Sequence, residues 1–110
     1  MKMAVVGSRS IVDYDWISEI LKKYPITEVV SGGAKGVDSL AARYANEHGL
    51  KLTEFYPDWA LHGKAAGFIR NKLIVDHADQ VLAFWDGKST GTKHSIDYAR
   101  KCNKGVDIFT

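Results

Sequence analysis

Short apolar runs and helix-spaced apolar residues alternate along this chain from one end to the other, and that alternation is what most constrains its fold. The run over residues 3–6 is continuously apolar and ends in Gly7-Ser8, the pattern of a strand covered on both faces. From Asp15 onward Trp16, Ile17, Ile20, Leu21 and Tyr24 recur at helical spacing, with Asp13 and Asp15 placed to cap or charge the start and Pro25 to end it. A second strand over 26–30 runs into Ser31-Gly32-Gly33, and Val37, Leu40, Ala41, Tyr44 and Ala45 then mark one face of a helix closed by Gly49. Residues 50–56 alternate as a third strand, Pro57 opens a longer connection, and Ala66, Ile69, Leu73 and His77 predict a third helix. Residues 80–85 are a fourth strand, Thr92 can cap a helix carrying Ile96 and Ala99, and residues 106–109 are a last strand.

Strict alternation, with connections too long for hairpins, requires parallel strands joined by right-handed crossovers. The expected architecture is a Rossmann-like three-layer α/β sandwich with a five-stranded parallel sheet of order 3-2-1-4-5 and about four helices. A chain of 110 residues is expected to form one domain over 1–110. No apolar run approaches the roughly 18 residues of a spanning helix, and the N-terminus is too short for a signal-peptide core, so a cytoplasmic protein without membrane partners is expected. The single cysteine, Cys102, excludes an internal disulfide and a zinc finger. At this size a sheet with two open edges predicts association, with a homodimer as the simplest form. The net charge of +2 falls short of the basic excess of a dedicated nucleic-acid binder.

In such a sheet ligands bind beyond the carboxyl ends of the strands, at the switch point between the first and fourth. The segments that follow strands are Gly7-Ser8-Arg9-Ser10, Ser31-Gly32-Gly33-Ala34-Lys35-Gly36, residues 57–67, and Asp86-Gly87-Lys88-Ser89-Thr90-Gly91-Thr92. Three of them combine glycine, which lets amides approach an anion, with hydroxyl donors, a cation and a following helix N-terminus. That mixture suits a phosphate-bearing ligand. Two familiar phosphate motifs are absent. Gly87-Lys88-Ser89 lacks the earlier glycine of a Walker A loop, where Leu82 stands, and Gly7 does not open a G-x-G-x-x-G dinucleotide fingerprint.

Gly7-Ser8-Arg9, Ser31-Gly32-Gly33-Ala34-x-Gly36-x-Asp38, Pro57-x-Trp59 with Gly63-x-x-Ala66-Gly67-x-x-Arg70-Asn71, residues 82–87 and Gly91-Thr92 together resemble the YspA-type, cpYpsA-related branch of the SLOG superfamily. The resemblance spans nearly the whole chain. It implies a Rossmann-like domain that binds nucleotides or nucleotide-derived ligands, with the LOG phosphoribohydrolases and the DNA-processing proteins as distant relatives. Arg70-Asn71 resembles the Arg-Lys pair of the LOG enzymes, and residues 86–92 resemble their glycine-rich loop with altered length. Those enzymes follow the loop with a catalytic Glu pair, whereas Lys93-His94-Ser95 stands here. Lysine cannot stabilise an oxocarbenium-like centre as a carboxylate does.

Arg9 can grip phosphate bidentately or form a surface ion pair, and Lys35 can add charge or simply be solvated. Asp38 and Asp86 are candidate acids or bases, with Arg70 on phosphate, but each carboxylate can equally bind a ribose hydroxyl or charge a helix start. Arg70 and Asn71 fall within a helix, where Asn is a weak helix former, so a polar duty at the ligand edge fits them. Ser8, Ser31, Ser89, Thr90 and Thr92 supply hydroxyls. Trp59, in a polar segment, is a stacking or lid candidate, whereas Trp85 at a strand end reads as core or interface. His62 is a lone loop histidine, for which simple solvation is the ordinary role, and His48, His77 and His94 show no metal-ligand spacing. The sequence therefore predicts a module that holds a nucleotide or an ADP-ribose- or NAD-like ligand, as sensor or accessory domain. Nucleotide processing by N-glycosidic hydrolysis is the second reading and single-stranded nucleic-acid binding the third.

Overall fold

The computed structural model describes residues 1–110. The apolar runs become strands β1 Lys2–Gly7, β2 Glu28–Ser31, β3 Lys51–Glu54, β4 Gln80–Phe84 and β5 Gly105–Phe109. All pair in parallel in the order β3-β2-β1-β4-β5, as the alternation predicted. Between them lie α1 Tyr14–Leu21, α2 Val37–Glu47, the short α3 Trp59–His62, α4 Ala66–His77 and α5 Thr90–Lys101.

Each central strand is apolar on both faces because both faces are covered. One face packs Met3, Val5, Val29, Leu82 and Phe84 against Ile17 and Leu21 of α1 and Val37, Ala41 and Tyr44 of α2. The other packs Ala4, Val6, Val30, Val81 and Ala83 against Ile74 and Val75 of α4 and Ile96 and Ala99 of α5. Edge strands β3 and β5 hold no fully buried residue, so their patterns are less apolar. No helix is long and apolar enough to cross a membrane.

Four sequence expectations need correction. β3 ends at Glu54 instead of Tyr56, since Tyr56 is exposed and carries its ring over the Gly33 loop. The connection over 57–67 is not irregular. Asp58 accepts from Leu61 N at 3.0 Å and caps α3, and a 3-10 turn over Gly63–Ala65 leads into α4. In α4 the core-facing residues are Ala66, Asn71, Ile74 and Val75, whereas Leu73 is 46% exposed, because the sheet claims a different stripe from the one the periodicity marked. Finally, Ser89 is the cap of α5, accepting from Thr92 N, while Thr92 lies inside the first turn with its hydroxyl donating to Ser89 Oγ at 3.1 Å.

Candidate functional site

α1 and α2 lie on one face of the sheet and α4 and α5 on the other, so the winding reverses between β1 and β4 and opens a crevice above their carboxyl ends. A cavity of about 520 Å³ occupies that crevice. The loops around it are held by backbone approach. Gly36, at φ +74°, comes so near Arg9 that a Cβ there would stand 2.6 Å from Arg9 Cα. Ser8 N donates to Phe84 O at 3.0 Å and Ser8 Oγ accepts from Asp86 N at 3.1 Å, tying the loop after β1 to the loop after β4.

Of the predicted site residues, Gly7, Arg9, Ala34, Asp38, Trp59, Arg70, Asn71, Asp86, Ser89, Thr90, Gly91 and Thr92 line the cavity. Ser8, Ser31, Gly32, Gly33, Lys35, Gly36 and Gly87 do not. Ser8 and Ser31 are buried, and their hydroxyls accept bonds from Asp86 N and Gly33 N instead of facing outward. Lys35 is exposed away from the lining, and Gly32 and Gly36 serve close packing.

Two guanidinium groups serve the cavity. Arg9 is exposed and forms no ion pair, which removes the surface-pair role weighed for it. Arg70 is half-buried, donating from Nη1 to Gly32 O at 2.8 Å and from Nε to Asn71 Oδ1 at 3.1 Å. That seat needs a glycine, since a Cβ on residue 32 would stand 2.5 Å from Arg70 Nη1 and 2.9 Å from Asp38 Oδ2. Burial lowers the Arg70 pKa, with Asp38 opposing the shift and Arg9 adding to it, so the two cations share one region of space. Thr90 and Gly91, the first residues of α5, add N–H groups that have no partner within the helix.

The two carboxylates differ. Asp86 is exposed, and its Oδ1 accepts from Lys88 N and Ser89 N, both at 2.8 Å, while Oδ2 accepts from Ser10 Oγ at 3.2 Å. These donors, the Lys88 amide foremost, hold its carboxyl below the ordinary range and make Asp86 a loop fastener. Asp38 is 9% exposed and accepts from Ala34 N at 3.1 Å. Burial raises its carboxyl, and the Ala34 amide and Arg70 offset that only in part. Asp38 is thus the carboxylate better suited to meet a ligand hydroxyl or carry a proton.

The rim is aromatic. Trp59 is 57% exposed, with its ring 3.7 Å from where a Cβ on Gly67 would lie, and Phe68, also in the lining, stacks on His94 at 4.3 Å between ring centroids. Trp85 packs against the core and donates from Nε1 to Ser89 O at 3.0 Å. Sequence reasoning did not select Ser10, Gly67, Phe68, Ile74, Ser95 or His94. The i, i+3 and i, i+4 spacing of residues 67, 71 and 74 was a signal for the α4 members, since it puts them on the face that carries Asn71. Among all the side chains, no cluster of His, Cys, Asp and Glu is placed to hold a metal ion.

A parallel, doubly wound sheet whose switch-point crevice is lined by arginines, a helix N-terminus and aromatic rings defines a Rossmann-like α/β protein with an anion-suited cleft. The chain belongs to the YspA, cpYpsA-related SLOG family, whose pattern matches residues 1–62. It is 37% identical over 119 aligned positions to the Gene 61 protein of Mycobacterium phage D29, covering 98% of this chain and 95% of that one. A shorter stretch of 40 residues, 36% of this chain and 23% of the other, is 32% identical to the uncharacterized SPbeta prophage-derived protein YoqJ of Bacillus subtilis. Among solved structures, DNA processing protein A of Streptococcus pneumoniae superposes with a TM-score of 0.81 at 20% identity over 97% of this chain. DNA processing protein A of Helicobacter pylori, described for its single-stranded DNA binding mode, gives 0.75 at 24% identity over 98%. The chain spans 49% and 64% of the lengths of those two proteins, and the likeness to them establishes the fold.

Proposed function

We propose that the cavity at the β1–β4 switch point binds a nucleotide or nucleotide-derived ligand, with its phosphates between Arg9, Arg70 and the first turn of α5 and its base against Trp59 and Phe68. The observation that carries this reading is the convergence of two guanidinium groups that form no ion pair and two exposed aromatic rings on one cavity of about 520 Å³. Arginine suits phosphate through its planar fork of donors, and a base of any kind can stack on an indole or phenyl face. Asp38, with one oxygen held by the Ala34 amide, keeps acceptor capacity for a ribose hydroxyl. The hydrolytic reading loses Asp86 as an acid, because three donors stabilise its ionised form.

A single-stranded nucleic acid is the second reading, favoured by the likeness of the fold to a protein described for its single-stranded DNA binding mode. The same site would then take one nucleotide unit of the strand. The test is calorimetric titration of the purified protein with AMP, ADP-ribose, NAD and a short oligodeoxythymidylate, with Arg70→Gln in parallel. Saturable binding of a small nucleotide that Arg70→Gln abolishes supports the first reading. Binding of the oligonucleotide alone moves the site to the second, and heat from none of the four rejects both.

A further inference from the structure

Asn71 is buried at the back of the cavity, and its side-chain amide has one possible orientation. Its Oδ1 lies 3.1 Å from Arg70 Nε, which can only donate, and its Nδ2 lies 3.3 Å from the Gly91 carbonyl, which can only accept. Turning the amide over would set donor against donor and acceptor against acceptor. Nδ2 therefore also faces His94 Nδ1, at 3.4 Å. Two nitrogens at that distance form a bond only if the ring nitrogen carries a lone pair, which is the neutral imidazole with its proton on Nε2.

We propose that Asn71 is a positioning residue through which the protonation of His94 controls the seat of Arg70, so that the cavity loses affinity for its phosphate-bearing ligand as His94 gains a proton. This inference rests on the ligand-binding reading above. A second ring proton on Nδ1 would point at the Asn71 N–H. Relief requires the amide to turn, which sets its NH2 against Arg70 Nε and its oxygen against Gly91 O, or requires the ring to leave Phe68. The first course removes the acceptor that aims the guanidinium, and Gly32 O alone then holds it.

The charged groups that face the ring are Lys72 on α4 and Asp97 on α5, the latter paired with Lys93 at 2.9 Å. Burial and Lys72 favour the neutral ring and Asp97 opposes them, which agrees with the bonding pattern. A protonated ring would also attract an anion in the cavity. Phe68, itself part of the lining, covers one face of the imidazole, and His94 does not line the cavity, so in this proposal loss of the Arg70 seat outweighs that attraction.

The experiment has two arms. In ligand-free protein, imidazole NMR across pH 5 to 8 reports the His94 tautomer and its titration midpoint. The expected neutral form carries its proton on Nε2, and Asn71→Leu raises the midpoint, since a bond to the neutral ring is lost. In the second arm, ADP-ribose affinity is measured over the same range. ADP-ribose is the probe because its pyrophosphate does not titrate there, whereas a phosphate monoester titrates near pH 6. Affinity is expected to fall roughly fivefold from pH 7.5 to pH 5.5 and to become flat in Asn71→Leu and in His94→Phe, which keeps the stack. Affinity that rises on acidification, or a fall that persists in both variants, overturns the coupling. If ADP-ribose does not bind at any pH, the functional reading fails alone. The first arm then decides, and a proton on Nδ1 or an unmoved midpoint rejects the inference.

Discussion

Gly36 and Arg9 are in backbone contact: a Cβ on Gly36 would lie 2.6 Å from both the Cα and the carbonyl oxygen of Arg9. Gly36 also adopts φ +74° and ψ −128°, which L side chains rarely take. Gly36→Ala is therefore expected to destabilise the fold by about 1–3 kcal/mol and to displace the loop that carries Arg9. Urea denaturation checks the first effect. An unchanged midpoint would show that the two loops part at no cost.

Trp59 is 57% exposed, whereas Trp16 packs edge-on against Phe84 and Trp85 is half-buried in the core. A base stacked in the cavity should quench the indole emission of Trp59 above all. Trp59→Ala is expected to remove that quenching and weaken binding by about 1–3 kcal/mol, read by titration with ADP-ribose. Full quenching in the variant would place the base elsewhere.

Lys104 closes the C-terminal end of α4, its ammonium donating to Val75 O at 2.6 Å, Asp76 O at 3.0 Å and Ala78 O at 2.7 Å. The carbonyls of Asp76 and Ala78 gain a cationic donor there, as does Val75 O, which also accepts from Ala78 N at 3.2 Å. Lys104→Met keeps much of the stem packing and removes the donor. Its expected cost is about 1.5–3 kcal/mol in chemical denaturation, with no change in ligand affinity, because Lys104 does not line the cavity.

Glu28 is buried at the start of β2, accepting from His77 Nε2 at 2.7 Å and Thr53 Oγ1 at 2.8 Å, with Lys51 at 3.6 Å. Burial alone would raise its carboxyl, but His77, Thr53 and Lys51 together outweigh burial and lower it. A carboxyl lowered in the folded state contributes stability above its ordinary value of 4.5 and loses that contribution as pH falls through the lower, folded value. Glu28→Gln should flatten the acid limb of the stability curve below that ordinary value. A limb of unchanged slope would assign acid sensitivity to other groups.

The phosphate-suited loops were legible because glycine, hydroxyl and cation lie together in sequence after each strand, and the apolar periods place those loops on one edge. Arg9 was found that way, Arg70 from its place beside Asn71 within a helix and Asp38 from the motif that begins at Ser31, and all three line the cavity. Ser8 and Ser31 share the same loop chemistry, yet their hydroxyls turn inward to accept bonds from Asp86 N and Gly33 N, a direction that composition does not encode. Asp86 read as a candidate acid and is instead bound by Lys88, Ser89 and Ser10, because only a folded turn brings those donors to one carboxylate.

The alternation of strand and helix periods by itself determined the parallel sheet and its order, since strands apolar on both sides can be covered only by helices on both faces. What tertiary structure alone decided is which side of α4 meets the sheet and which meets solvent. Its apolar residues are spread around the helix, so the sequence offers two stripes, and packing against β1, β2 and α5 chose the one bearing Ile74 and Val75. That choice left Leu73 in solvent, brought Phe68 to the cavity rim and set Asn71 between Arg70 and His94. Contacts between residues 20 or more positions apart depend on how two helices seat on one sheet face, which no local pattern specifies.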